Sequence, residues 1–179
     1  MLSRCKKTPK KLKIAGAVIA ALAVIILLSL LYTTPYLVLT NDHSGRILLV
    51  QRINEGDEFA VSFIHSVNIS PVQEIYQVQQ GQIVLTALEF YAFGAGMPTD
   101  LEAGQTLVHL PAGGMRIEGF ERTITDLRYM VDYIADLTLH LGAKNISLAS
   151  LDAPGQPIRF NLKQLTIWQR VFCFYNKHS

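Results

Sequence analysis

Residues 58–90 read EFAVSFIHSVNISPVQEIYQVQQGQIVLTALEF, and the fold class turns on this stretch. Three runs, 58–65, 73–79 and 82–90, are rich in Val, Ile, Phe and Tyr, with Gly56-Asp57 before the first and Gln80-Gly81 before the third. Short runs of this composition, bounded by turn formers, are the signature of strands rather than of one helical face.

The same texture extends in both directions. Upstream, 36–40 and 46–51 flank Asn41-Asp42-His43-Ser44-Gly45, a hairpin-like connection built of residues that favour turns. Downstream, strands are expected at 107–110, 115–118, 127–133, 137–141, 146–151, 158–162 and 165–175. Within 127–141, Leu127, Met130, Val131 and Ile134 would also suit a helix. All eight odd positions there are apolar, however, and five of the seven even positions are polar. That alternation selects strand. Segment 94–114, with glycines at 94, 96, 104, 113 and 114, reads as a long loop around one short strand. The expectation is a mostly β chain forming an antiparallel β-sandwich or barrel-like domain over 35–179.

Ahead of that domain, residues 14–32 (IAGAVIAALAVIILLSLLY) carry no charge. Nineteen residues span roughly 28 Å as a helix, close to the ~30 Å of a hydrocarbon core. Arg4, Lys6, Lys7, Lys10, Lys11 and Lys13 precede it, which by the positive-inside bias keeps 1–13 in the cytoplasm as a basic tail. The run exceeds a usual signal-peptide core, and no A-x-A-like site follows it, so 14–34 is expected to be an uncleaved transmembrane signal anchor. The chain after it would lie outside the cytoplasm. Cys5 and Cys173 would then sit on opposite sides of the membrane and could not bridge within one chain.

Charge removes one class of partner. Beyond the basic tail there are ten Lys and Arg against fourteen Asp and Glu, so the β domain is acidic and offers no nucleic acid a basic face. No cofactor is expected either. Gly94-Ala95-Gly96 begins like a dinucleotide fingerprint, but Thr99 stands where the third glycine belongs and no helical pattern follows.

The residues able to do chemistry concentrate between 63 and 98. If 58–65 and 73–79 pair, His65, Ser66 and Glu74 gather near one end of a sheet. Three readings stay open. Ser66 could serve as a nucleophile with His65 as base and Glu74 as orienting acid, although neighbouring strand residues point to opposite faces. His65 and Glu74 could bind a metal together with His109 or His140, although none has close ligand spacing. Or His65 bonds a neighbouring strand, Ser66 starts a turn and Glu74 accepts from the backbone or from Tyr76, and the site binds a small polar ligand or a partner, or only supports the fold.

As a set, Phe63-Ile64-His65-Ser66-Val67, Pro71-Val72-Gln73-Glu74-Ile75-Tyr76 and Phe93-Gly94-Ala95-Gly96-Met97-Pro98 resemble the bacterial domain of unknown function (DUF) 1850 family, over about 36–162. The resemblance implies association with TRAP-type transporters of the class served by immunogenic-protein-like solute receptors, since such genes often adjoin or fuse with them. It places the family's motif positions on His65, Ser66, Glu74, Gly94, Gly96 and Pro98. These are the candidate ligand- or partner-binding residues. The expected function is a membrane-anchored, extracytoplasmic binding or interaction domain accessory to solute uptake. The alternative is an extracytoplasmic hydrolase or metal-dependent enzyme using His65, Ser66 and Glu74.

Overall fold

The three runs of the opening stretch form an antiparallel meander: β3 (Glu58–Ile64), β4 (Pro71–Gln79) and β5 (Gln82–Phe90). The computed structural model describes residues 10–67, 69–92, 100–111, 113–132 and 134–177. The remaining strands are β1 (Thr33–Asn41), β2 (Ile47–Arg52), β6 (Thr106–His109), β7 (Met115–Ile124), β8 (Leu127–Met130), β9 (Thr138–Leu141), β10 (Lys144–Ser147) and β11 (Pro157–Thr166). Two helices frame them, α1 (Lys10–Leu31) and α2 (Ile167–Lys177).

All pairings are antiparallel, in two sheets ordered β2-β1-β11-β8 and β10-β9-β3-β4-β5-β7-β6. Neither sheet closes, which removes the barrel-like alternative. The sheets share one core. Leu37, Leu39, Ile158 and Phe160 of the first meet Phe59, Val61, Tyr76 and Leu139 of the second. Period-two side-chain alternation explains β4, where Val72, Tyr76 and Val78 are buried while Gln73 and Gln77 are only half-buried. Residues Tyr36 to Leu39 are all buried because β1 is covered on both faces. Leu37 and Leu39 face the second sheet, whereas Tyr36 and Val38 join Val50, Leu165 and Cys173 of α2 on the other side. Near the other edge, Gly119 (φ +87°) lets β7 pass against Gly104, where a Cβ would overlap the Gly104 carbonyl.

Three expected strands are redrawn. Run 165–175 divides: β11 ends at Thr166 and α2 follows. Thr166 and Gln169 make a capping box, Gln169 N–H donating to Thr166 Oγ1 (3.2 Å) and Thr166 N–H to Gln169 Oε1 (2.9 Å). Stretch 127–141 is strand only at its two ends. Between them the chain crosses from the first sheet, which holds β8, to the second, which holds β9. The alternating pattern arises because both ends, and Val131 and Leu137 between them, bury side chains in the same core. Run 146–151 is shorter than expected, since β10 gives way to a single 3₁₀ turn at Leu148–Ser150.

Among the described residues, no helix is long and apolar enough to cross a membrane. In α1, side chains are described from Gly16 onward, so Ile14 and Ala15 of the uncharged run fall outside that comparison. From Gly16 to Leu31 every side chain is exposed except the half-buried Ser29. Strand pairing sets the long axis of the domain. Thr33 pairs with Thr166 beside the helices, and Asn41 pairs with Ile158 at the far end, roughly 27 Å away at strand rise.

Candidate binding cleft

The far end of the two sheets carries the cleft. There β3 turns into β4 through 65–70, the crossover 131–137 passes from sheet to sheet, and 152–156 leads into β11. Main-chain bonds lace these segments together: Ile64 N–H donates to Ala135 O (2.7 Å), Val131 N–H to Gln156 O (3.0 Å) and Gly155 N–H to Val131 O (2.8 Å). The space they leave is about 640 Å³, walled by Phe63, Met130, Val131, Leu137 and Pro154, with His65, Ser66 and Asp132 as polar groups. A mostly apolar concavity with few polar groups suits a small amphipathic ligand or one inserted side chain.

His65 lies just past the end of β3. Its N–H donates to Ser70 O (2.9 Å), and its carbonyl accepts from Ile69 N–H (2.9 Å), closing the turn. Its Nδ1 accepts from Val67 N–H at 3.3 Å, which assigns the ring proton to Nε2 in the neutral imidazole. Ser66 follows within that turn. Backbone strain gathers around the cleft. Of the described non-glycine residues at positive φ, Ile69 (+48°) and Asp136 (+43°) sit in two of its three bordering segments. A β-branched residue in that region is costly, by about 1–3 kcal/mol, and such strain collects where structure serves binding.

Glu74 is not part of this cleft. It pairs with Val61, which places it roughly 13 Å along the strand from His65. Its carboxylate is held inside the sheets by two phenols. Tyr76 Oη donates to Glu74 Oε2 at 2.9 Å, Tyr129 Oη donates to the same oxygen, and the two hydroxyls lie 2.7 Å apart. The Tyr76 partnership expected from the sequence is therefore present, and Tyr129, from the other sheet, is added to it. The nucleophile–base–acid arrangement of Ser66, His65 and Glu74 is not assembled. Gly94, Gly96 and Pro98 lie outside the described residues. The segment they belong to leaves β5 at Phe90, which pairs with Val72 near the start of β4, on the His65 side of the sheet.

A second polar array escaped the sequence reading. On the outer face of the larger sheet, Ser62 Oγ lies 2.7 Å from His140 Nε2, and His140 Nδ1 lies 2.8 Å from Asn145 Oδ1. The order hydroxyl–imidazole–amide matches a nucleophile, base and orienting group. Ser62, however, sits within a central strand paired on both sides, so its neighbouring amides are spent on the ladder and none is aimed at an oxyanion. The array therefore acts as a cross-strand ladder. Only the cross-strand positions of Ser62, His140 and Asn145 reveal it. No cluster of three or more His, Cys, Asp or Glu suited to a metal occurs among the described residues.

The family model described as "Domain of unknown function (DUF1850)" aligns with residues 59–148. The chain belongs to the DUF1850 family. No curated protein and no solved structure matches it. The DUF1850 match begins inside β3 and ends just after β10, so it takes in the larger sheet except Glu58, together with β8, while leaving out α1, β1, β2, β11 and α2. It is narrower than the 36–162 suggested by the motifs. Two borders of the cleft, 65–70 and 131–137, lie inside the DUF1850 match, and the third, 152–156, lies outside it.

Ionisation around these groups predicts the pH response of stability. Burial above all pushes Tyr76 and Tyr129 well above the ordinary tyrosine value, with the Glu74 charge acting the same way on both. A raised phenol pKa gives stability that is full below the unfolded value near pH 10 and lost as pH rises beyond it. At the acid end, the Arg159 hydrogen bond holds the Asp42 carboxyl below the usual range, and Arg128 does the same for Asp126. Their contribution is present above about pH 4 and fades as pH falls through the lowered values. Denaturation midpoints should be flat from about pH 5 to 9 and fall on both sides. Tyr129→Phe should flatten the alkaline fall, and an unchanged alkaline limb in that variant would contradict the assignment.

Proposed function

We propose that this DUF1850 protein is a membrane-anchored binding domain outside the cytoplasm, accessory to a TRAP-type solute uptake system. The observation that carries the reading is the far-end cleft, with His65 and Ser66 on its wall and strained backbone in two of its borders. Support for the anchor comes from the uncharged run 14–32 behind six cations, and from α1, whose large apolar side chains from Val18 to Leu31 are exposed. A soluble setting would leave this surface in water, whereas lipid covers it. Anchored there, the domain would hold its cleft roughly 27 Å beyond the end of α1, facing partners on the aqueous side. The anchor would also raise its effective concentration near membrane subunits.

The test is purification of the full chain, tagged at its C-terminus, from native membranes in mild detergent, with wild type beside His65→Ala and Ser66→Ala. Transporter subunits should co-purify with wild type. His65→Ala should reduce their recovery about tenfold, the equivalent of ~1.4 kcal/mol, while the denaturation midpoint stays in place. Equal recovery with both variants would take the cleft out of the interaction, and absence of transporter subunits from wild type would remove the accessory role.

A further inference from the structure

The helix that ends the described residues, α2, turns an apolar face outward. In α2, Gln169 closes the capping box with Thr166 and Arg170 Nη1 donates to Tyr36 Oη at 3.3 Å, and both side chains stay exposed. Ile167, Trp168, Val171 and Phe172, at the i, i+1, i+4, i+5 spacing of one helical face, are 51–65 % exposed. A helix packed on a soluble domain does the reverse. Beside it opens an apolar groove of about 620 Å³, walled by Val38, Ile47 and Leu165 and extended by Trp168 and Phe172.

Three observations name what covers this surface. Trp168 Nε1 donates to Ser29 Oγ at 3.1 Å, which pins the start of α2 to the last turn of α1. Ser29 is also the one described side chain of α1 that is not exposed. Charge points the same way, since α2 has Arg170 and Lys177 and no acidic residue, with Lys163 at the groove, although the β domain as a whole is acidic. Tryptophan and tyrosine at the end of an apolar helix, with cations nearby, suit the headgroup layer, where an indole is half in hydrocarbon and half in water. Tyr32, directly after α1, is 64 % exposed at the same level.

We propose that the exposed face of α2 from Ile167 to Phe172 lies in the headgroup region of the bilayer that α1 enters, seating the domain on the membrane. The seat rests on the anchor reading above and adds to it a second contact with lipid. With two contacts the domain stands in one orientation, and its cleft points away from the bilayer instead of swinging on a tether.

Trp168 is the chain's single tryptophan, so its fluorescence reports on α2 alone. The full chain is reconstituted into vesicles of phosphatidylcholine with phosphatidylglycerol, separated by flotation, and compared with vesicles whose acyl chains are brominated. Seated as proposed, Trp168 emits to the blue of the urea-unfolded chain, loses roughly half or more of its emission to brominated lipid, and is little affected by aqueous iodide. Phe172→Asp should still float, because α1 is untouched, yet lose most of that lipid quenching. Floating protein whose Trp168 is quenched by iodide and not by lipid overturns the seat and leaves the anchor standing. Blue emission without lipid quenching means that protein, such as a second copy, covers the face, and also overturns it. Protein that does not float defeats the anchor reading itself, and the seat with it.

Discussion

Phe59→Ala is expected to destabilise the domain by about 3–5 kcal/mol, the largest effect of any single substitution considered. Phe59 is 2 % exposed and sits where the two sheets meet. Its ring stacks on Tyr76 of its own sheet at 5.2 Å and on Phe160 of the other at 6.2 Å. Phe160 in turn meets the Tyr129 ring edge-on at 5.6 Å, so the aromatic group joins β3, β4, β8 and β11. Truncation removes the transfer free energy of the ring and leaves a cavity that paired strands cannot collapse to fill. The measurement is the denaturant midpoint of the full chain in detergent. Leu107→Ala, on the edge strand β6 and 39 % exposed, serves as reference and should cost under about 0.5 kcal/mol. Equal, small shifts for both would mean that the sheets do not pack through Phe59.

Glu74→Ala comes next, at about 2–3 kcal/mol. Two phenolic protons serve three oxygen pairs among Glu74, Tyr76 and Tyr129, and the carboxylate is the acceptor both hydroxyls share. Without it the hydroxyls can still bond each other, but one proton is left without an acceptor in the core, where the desolvation cost is not returned. Glu74→Gln keeps a carbonyl acceptor and should lose clearly less. This is a structural role, so partner recovery should follow the folded fraction and not fall beyond it. A Glu74→Ala protein as stable as wild type that nevertheless loses its partner would make the carboxylate a binding group and reverse the assignment.

These two residues also mark where local sequence reasoning stops. Phe59 is legible as a core residue from alternation alone, because period two is a property of a single strand. Glu74 is legible as a polar residue on the inward face of β4, but one of its two phenol partners, Tyr129, lies in the other sheet. The same holds for Ser62, His140 and Asn145, which become an array only when β3, β9 and β10 are laid side by side. His65 and Ser66 are legible as the end of a strand and the start of a turn, and as candidate site residues. The walls that make them part of a cleft come from 131–137 and 152–156, far along the chain.

Strand-rich composition, the hairpin between β1 and β2, and the meander from β3 to β5 could be read directly, since each depends on neighbours a few residues apart. The apolar run beginning at Ile14 and the acidic balance of the domain were legible for the same reason. The end of β11 was missed although Thr166-Ile167-Trp168-Gln169 carries a capping box, because apolar residues at 165, 167, 171 and 173 satisfy a strand pattern equally well. Pattern could not divide 127–141 either, since β8, Val131, Leu137 and β9 all bury side chains in one core. Sheet membership, the outward turn of α2 and the cleft were decided by long-range packing, where burying a side chain depends on what other strands present rather than on its own neighbours.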